Sequence, residues 1–189
     1  MKNVAVYCGS SPGRNGIYRD EAARLGRLMA EKGIRIIFGG GQVGLMGALA
    51  DAALGAGGKV VGIIPRFLHV KEVAHHGLSE LITVESMHER KALIHDMSEA
   101  FVALPGGFGT LDELFEMLTW GQLGIHRKAV GILNIHGFFD PVIAAMDRMV
   151  QEGFLKRENR EVVLTEACPA ELLTRLSGYV PPESVPKWI

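Results

Sequence analysis

Two short segments combine acidic, basic and glycine residues in an order that suits chemistry on a phosphorylated ligand. Residues 105–113 read PGGFGTLDE, and residues 86–91 read SMHERK. A glycine-rich turn brings backbone N–H groups close to a ligand, and the helix that follows favours an anion at its start. Arg90 and Lys91 lie near the start of a predicted helix, where the helix dipole does not favour cations. An anionic ligand or a carboxylate partner explains them better, although a solvated surface face stays an alternative for Lys91.

Three glycine-rich loops follow predicted strands, and each opens into a predicted helix. They read CGSSPG (8–13), GGGQVGLMG (39–47) and PGGFGT (105–110). In a doubly wound sheet, ligands bind at the carboxyl ends of the strands, where such loops lie. The loops therefore predict a site for a phosphorylated ligand. Its predicted contacts in the first two loops are Gly9, Ser10, Gly40, Gly41 and Gly44.

The second loop also matches the dinucleotide pattern GxGxxG, through Gly39, Gly41 and Gly44. A dinucleotide site offers an acidic residue near the end of the next strand for the ribose hydroxyls. The next predicted strand, KVVGIIPRF, ends instead in Pro65 and Arg66. This argues against NAD, but an arginine suits a 2′-phosphate, so an NAD(P)-binding protein stays an alternative.

A structural interpretation of Glu113 competes with a functional one. Thr110 and Glu113 have the spacing of a helix capping box, as do Ser86 and Glu89. In that motif the carboxylate satisfies a backbone N–H at the helix start and interacts well with the helix dipole. A cap at this position can also face a ligand, so the sequence leaves both interpretations open.

Short apolar runs alternate with segments of helical period, which is the βαβ pattern of a parallel sheet. We predict strands near residues 4–8, 34–38, 59–65, 81–85, 100–104 and 129–135. We predict helices near 17–32, near 44–56, from about Ser86, from Thr110 and near 139–152. The strands are nearly continuous apolar runs, as expected where helices cover both faces. The predicted fold is α/β: a Rossmann-like, doubly wound, mostly parallel sheet with helices on both faces.

The chain of 189 residues fits one ordinary domain, and no repeat, low-complexity tract or linker marks a second. We predict a single nucleotide-binding domain over residues 1–189. Its core covers about 1–153, and a C-terminal helical tail covers about 154–189.

Composition excludes several classes of protein. The 20 basic and 21 acidic residues give no basic excess that would indicate a nucleic-acid partner. Cys8 and Cys168 form neither a disulfide framework nor a CxxC motif, which favours a reducing compartment. No apolar run reaches the roughly 20 residues of a membrane helix, and the first residues lack a signal-peptide pattern. We therefore expect a cytoplasmic protein without a membrane or nucleic-acid partner.

The seven histidines contain no HExxH motif and no Cys/His cluster with metal-ligand spacing. We interpret them as surface or capping residues. The sequence accordingly predicts neither a metal site nor another cofactor.

The segment SMHERKALIHDMSEAFVALPGGFGTLDELFEMLTWGQLGIHRKAVGILN resembles the central block of the LOG family, the cytokinin riboside 5′-monophosphate phosphoribohydrolases. It includes the PGGxGTxxE signature of that family, and the similarity extends from CGSSPG through GGGQVGLMG to about Gly153. Members of the family often carry the label lysine decarboxylase. The sequence offers no lysine in a recognisable pyridoxal-phosphate setting, and Lys91 is better explained beside a nucleotide.

The resemblance implies hydrolysis of the N-glycosidic bond of a nucleoside 5′-monophosphate, such as AMP or an N6-prenylated AMP, to the free base and ribose 5-phosphate. It implies that Arg90 and Glu113 are the catalytic pair and also contact the nucleotide. It further implies nucleotide contacts at Glu72, Lys91, Gly107, Phe108, Gly109, Thr110, Leu111, Asp112 and Thr119. The segment HVKEVAHHGLSE around Glu72 departs from the family's prevailing pattern.

These assignments suit the chemistry of the reaction. Cleavage of an N-glycosidic bond builds positive charge on the sugar, which a carboxylate such as Glu113 stabilises while it orients water. Arg90 can steer the nucleotide or the departing base through its planar donors. The alternative from another class is a non-catalytic nucleotide or cofactor carrier that holds a phosphate with the same loops.

The resemblance also implies a homodimer built around the helices of this region. Four large apolar residues on the two motif helices are more than one buried face readily absorbs: Met87, Met97, Met117 and Trp120. Filling of the protein's own core is the alternative explanation for them.

Overall fold

The computed structural model describes residues 1–69 and 74–182. Within them, parallel strands form a single seven-stranded sheet in the order β4-β3-β2-β1-β5-β6-β7. The strands are β1 (Asn3–Tyr7), β2 (Arg35–Phe38), β3 (Val60–Pro65), β4 (Glu80–Val84), β5 (Ala100–Ala103), β6 (Ala129–Leu133) and β7 (Val163–Glu166).

Helices connect the strands and cover the sheet. They are α1 (Gly16–Glu31), α2 (Gly44–Gly55), α3 (Arg66–His69), α4 (Met87–Met97), α5 (Phe108–Gln122), α6 (Asp140–Gln151), α7 (Arg157–Glu161) and α8 (Pro169–Ser177). A 3-10 turn at Ile135–Gly137 precedes α6. None of the helices in residues 1–69 and 74–182 has the length and apolar character needed to cross a membrane.

Side chains along the strands alternate between two apolar layers, because successive residues of a strand point to opposite faces. Val4 and Val6 of β1 belong to the layer that contains buried residues of α1, α2 and α8. Ala5 and Tyr7 belong to the opposite layer, which contains buried residues of α4, α5 and α6. Helices therefore cover both faces of a parallel sheet, and the predicted Rossmann-like α/β fold is confirmed.

The strand order reverses between β1 and β5, which pair with each other from Val4 beside Ala100 to Tyr7 beside Ala103. The chain runs outward from β1 to β4 in one direction and from β5 to β7 in the other. Such a switch point opens a crevice at the carboxyl ends of the central strands, and ligands bind there in open α/β sheets. The first and third glycine loops leave the sheet at this crevice.

The segment after residue 153 contributes a strand as well as helices. Strand β7 pairs with β6 from Val163 beside Val130 to Glu166 beside Leu133, although we predicted no strand there. Only its first two residues are buried, since β7 lies at the edge of the sheet. A four-residue edge strand lacks the long apolar run that reveals a central one.

Candidate functional site

A pocket of about 420 Å³ opens at the carboxyl ends of β1, β2 and β5. It lies at the switch point of the sheet, and all three glycine loops contribute to its lining. The predicted site residues that line it are Gly9, Ser10, Gly41, Arg90, Gly107, Phe108, Gly109, Thr110, Asp112 and Glu113.

Backbone hydrogen bonds join the three glycine loops to one another. The N–H of Gly9 donates to Pro105 O at 3.0 Å, and the N–H of Leu45 donates to Gly9 O at 3.0 Å. Gly44 has a φ of +67°, and a Cβ atom there would overlap the backbone of Ser10. The second loop can therefore approach the first closely only with glycine at this position.

Helix α5 begins two residues before the predicted start, and this overturns the capping interpretation of Glu113. Its N-cap is Gly107, which makes no side-chain cap hydrogen bond, and Phe108 is its first residue. Thr110 thus lies inside the first turn, where its hydroxyl fills the space that a Cβ atom on Gly106 would need. Glu113 lies in the second turn, beyond the backbone N–H groups that a capping carboxylate would satisfy.

The other predicted capping motif does cap its helix. The hydroxyl of Ser86 accepts the N–H of Glu89 at 3.1 Å at the start of α4. The Glu89 carboxylate returns to the N–H of Glu85 at 2.8 Å, one residue before the usual partner. Helix α4 is therefore fixed at its start, and Arg90 projects from its first turns toward the pocket.

Arg90 and Glu113 form a buried ion pair in the wall of the pocket. Arg90 Nη2 lies 3.2 Å from Glu113 Oε1, and the two side chains are only 13% and 11% exposed. Arg90 Nη1 also lies 3.7 Å from the sulfur of Met87. Its Nε is buried and has no hydrogen-bond partner among residues 1–69 and 74–182. The guanidinium is thus held in the wall of the pocket, and its Nε–H is a donor without a partner among the described residues.

Burial sets the protonation behaviour around this pair. It raises the pKa of Glu113, while the charges of Arg90 and Lys91 act in the opposite direction. Burial and the charge of Glu113 likewise raise the pKa of Tyr7, the last residue of β1, and of Cys8, the first residue of the first loop. Tyr7 and Cys8 are therefore neutral near pH 7, and Glu113 contributes a carboxyl group with a raised pKa to the pocket.

Lys91 is absent from the pocket lining and pairs with two carboxylates of α5. Its Nζ lies 2.7 Å from Asp112 Oδ2 and 3.4 Å from Glu116 Oε1. Burial lowers the pKa of Lys91, but hydrogen bonds and charges from those two carboxylates outweigh it and raise the pKa. Lys91 thus has the carboxylate partners that its position in the helix suggested.

The remaining predicted site residues lie outside the pocket lining. Leu111 and Thr119 line a shallow depression on α5 together with Phe115 and Trp120. Gly40 and Gly44 lie in the second loop, both with positive φ. Glu72 lies outside the described residues.

Sequence reasoning did not predict the apolar part of the pocket lining. Apart from Phe108, which was predicted, it comprises Val6, Tyr7, Cys8, Met46, Ile64, Leu68 and Met87. Tyr7 ends β1 and Cys8 begins the first predicted loop, so the switch-point rule could have found them. Leu68 lies on the short helix α3, which has no comparable signal in the sequence.

Metal-ligating side chains do not cluster in the described part of the chain. No group of three or more His, Cys, Asp and Glu residues among residues 1–69 and 74–182 could hold a metal ion.

Comparison with known proteins assigns the family. A family model described as "Possible lysine decarboxylase" matches residues 46–176. The chain is also 44% identical over 181 residues to the cytokinin riboside 5'-monophosphate phosphoribohydrolase LOG of Oryza sativa subsp. japonica, an alignment that covers 96% of this chain and 75% of that one. The chain belongs to the LOG family. A LOG-family relative from Arabidopsis thaliana, also named a cytokinin riboside 5'-monophosphate phosphoribohydrolase, is 43% identical over 181 residues and is covered to 85% of its length.

Solved structures with the same architecture include cofactor-binding proteins. The molybdenum cofactor binding protein from Rippkaea orientalis aligns with 94% of this chain and 97% of its own, with a TM-score of 0.72 and 19% identity. The Moco carrier protein from Chlamydomonas reinhardtii aligns with 94% of this chain and 96% of its own, with a TM-score of 0.70 and 18% identity. The TM-scores show that the LOG-family chain shares the fold of these proteins, and at 18 to 19% identity the likeness extends to the fold alone.

Proposed function

We propose that this LOG-family chain hydrolyses the N-glycosidic bond of a nucleoside 5′-monophosphate, AMP or an N6-prenylated AMP, to the free base and ribose 5-phosphate. The observation that carries the proposal is the buried pair of Arg90 and Glu113 in the wall of a pocket built from three glycine loops. The named activity of relatives at 43 to 44% identity over almost the whole chain supports it.

The glycine loops would hold the 5′-phosphate. Gly107, Phe108 and Gly109 form the start of α5 at the pocket, where backbone N–H groups lack helical partners and the helix dipole favours an anion. The Thr110 and Ser10 hydroxyls add donors on neighbouring loops. Binding energy from the phosphate would place C1′ of the ribose against the charged pair.

Glu113 would act on the sugar, and Arg90 on the nucleotide or the departing base. As the bond from C1′ to the base nitrogen breaks, the ribose gains positive charge, which the carboxylate stabilises. Water then adds its hydroxyl to C1′, and the departing base takes up a proton. Exclusion of water from the charged pair strengthens these interactions, because the effective dielectric constant falls with burial.

A carrier without catalysis is the alternative that shares this fold. A carrier can hold a phosphate with loops and hydrogen-bond donors alone. Burial of a carboxylate beside the ligand is costly, and phosphate binding does not explain it. The NAD(P) alternative relies on Arg66 as the ligand of a 2′-phosphate, and this arginine already has a carboxylate partner. Arg66, which follows β3 at the carboxyl edge of the sheet, is exposed and forms an ion pair with Glu85 at 2.6 Å.

We also propose a homodimer in the cytoplasm. The depression on α5 presents Phe115 and Trp120 at the surface beside Thr119, which a second copy of the chain could cover. Such a copy would account for an implied nucleotide contact at Thr119 outside the protomer's own pocket. The free thiols of Cys8 and Cys168 fit a reducing compartment.

The experiment is to mix the purified protein with AMP and follow free adenine by chromatography, with AMP binding measured by calorimetry on the same preparation. Release of adenine and ribose 5-phosphate in equal amounts is the expected result. Binding of AMP without release of adenine would favour the carrier. Binding of NADPH but not AMP would favour the dinucleotide alternative.

A further inference from the structure

His75 is a buried histidine beside the second glycine loop, and both of its ring nitrogens have partners. The residue is 7% exposed. Its Nδ1 accepts the N–H of Gly77 at 3.1 Å, and its Nε2 lies 2.8 Å from Asp51 Oδ1 on α2. Since Nδ1 is an acceptor, Nε2 carries the proton of the neutral ring and donates to Asp51. The imidazole therefore fastens residues 74–77 to α2.

The backbone of the same short segment is bonded to the glycine loop. The N–H of His75 donates to Gly40 O at 2.9 Å. Ala74 forms an isolated antiparallel bridge with Gly41, and Gly41 lines the pocket. Residues 74 and 75 are thus in direct contact with the loop that forms one wall of the site.

This loop needs such support. Gly39, Gly40 and Gly41 are consecutive glycines, the residue type that has the most backbone freedom to lose on ordering. Gly40 adopts a φ of +74°, and Arg90 lies against Gly39. A loop that is already held in its bound conformation binds ligand more tightly, because it loses less conformational entropy on binding.

We propose that His75 is a positioning residue for the nucleotide pocket. Its side chain fixes residues 74–77 to α2, and those residues hold the loop of Gly39–Gly41 in the conformation that receives the ligand. The inference rests on the proposed function only for the identity of that ligand. It predicts an effect of His75 on ligand affinity rather than on the chemical step.

A second histidine in this chain provides a matched control. His126 is also 7% exposed. Its Nδ1 accepts the N–H of Lys128 at 3.1 Å, and its Nε2 lies 2.9 Å from Met117 O. It stands between α5 and β6 and is absent from the pocket lining. His75→Asn and His126→Asn therefore each remove a buried imidazole ring that makes two hydrogen bonds, one near the pocket and one away from it.

The experiment compares His75→Asn, Asp51→Ala and His126→Asn with the parent protein. Hydrogen exchange of the amides in residues 39–44 is measured without ligand, and AMP affinity is measured by calorimetry. In His75→Asn we expect exchange in this segment to rise, and AMP affinity to fall, each on the order of tenfold, which corresponds to the loss of one hydrogen bond. The turnover number at saturating AMP should stay within about twofold of the parent's.

The control variants separate positioning from general destabilisation. His126→Asn should lower the melting temperature to a similar degree and leave both the loop exchange and the AMP affinity unchanged. Asp51 is 71% exposed at its side chain, so Asp51→Ala should fold even if His75→Asn does not, and it should loosen the loop in the same direction.

Two results would overturn the proposal. One is hydrogen exchange in residues 39–44 that stays at the parental rate in Asp51→Ala, and also in His75→Asn if that variant folds. The other is equal loosening of the loop in His126→Asn. The exchange measurement needs no substrate, so it decides the role of His75 even if the parent protein fails to release adenine from AMP. That failure would count against the proposed function alone.

Discussion

The guanidinium of Arg90 fills the space that a side chain at Gly39 would need, because a Cβ atom on Gly39 would overlap Nη2 of Arg90. From this position the guanidinium reaches the Glu113 carboxylate at 3.2 Å. The absence of a side chain at residue 39 is therefore a condition for the charged pair.

Gly39→Ala should abolish most activity at little cost to stability. The added methyl group displaces the far end of a flexible side chain, which can move, but the movement takes Arg90 away from Glu113. We expect adenine release from AMP to fall by about 10²-fold, the usual result of a small displacement in a catalytic site. Gly55→Ala is the control, since its Cβ would meet open space at the end of α2. Retention of parental turnover by Gly39→Ala would contradict the assigned role of Arg90.

Glu113→Gln should fold like the parent and lose turnover. The amide keeps the shape and one acceptor of the carboxylate, but it cannot supply negative charge to a cationic transition state. We expect a loss of about 10²- to 10³-fold in adenine release, with AMP affinity retained. Glu116→Gln, one turn further along α5 and facing Lys91, is the control and should keep most of the activity. Turnover near the parental value in Glu113→Gln would remove Glu113 from the catalytic pair.

Stability and activity should respond to pH in opposite directions through Glu113. Because burial raises the pKa of Glu113 above its ordinary value of 4.5, the folded protein binds more protons than the unfolded chain between those two values. The contribution of this group to the free energy of unfolding therefore falls as pH rises through that window. Turnover rises over the same window, since the ionised carboxylate is the active form. Urea unfolding at a series of pH values should show this dependence in the parent and its loss in Glu113→Gln, and identical curves for the two would refute it.

The substrate should require its 5′-phosphate. The start of α5 offers backbone N–H groups to an anion, and a nucleoside leaves them without a partner. AMP should exceed adenosine in kcat/KM by on the order of 10²-fold or more, since hydrogen bonds to a charged group are among the strong ones. Steady-state assays with both compounds measure the ratio. Similar values for the two would show that the loops bind something other than the phosphate of this substrate.

Light scattering should give a mass of about twice the 20.5 kDa of one chain. Thr119→Arg adds a charge in the depression on α5 and should shift the mass toward one chain. Thr174→Arg adds the same charge to the exposed side of α8 and should leave the mass unchanged. A parent protein with the mass of a single chain at micromolar concentration would exclude the dimer.

The central part of the fold could be predicted because buried parallel strands have nearly continuous apolar sequences. Every residue of β3 and of β5 is buried, and both strands were predicted within one residue at each end. Strand β7 could not be predicted in this way, since it has one neighbour and half of it is partly exposed. What makes it a strand is its pairing with β6, which is a property of the folded sheet.

The site was predictable where motif and topology agree. The glycine loops predicted a pocket at the carboxyl ends of the strands, and the resemblance to the LOG family implied Arg90 and Glu113, which both line that pocket. The true start of α5 was not predictable, because the extended backbone of Gly107, and no capping side chain, defines it. The direction of Lys91 was also not predictable, since it depends on which carboxylates of α5 lie within reach.

The central place of β1 also has a consequence for synthesis on the ribosome. Once β2 has been made, β1 can pair along one edge, but its other edge waits for β5, where Ala100 pairs with Val4. Until then the nascent chain presents the unpaired edge of an apolar strand, which is a template for wrong pairing. Glu113 is translated later still, so ligand cannot stabilise the half-made protein. We therefore expect the interval between β4 and α5 to be the period in which the emerging chain depends most on chaperones.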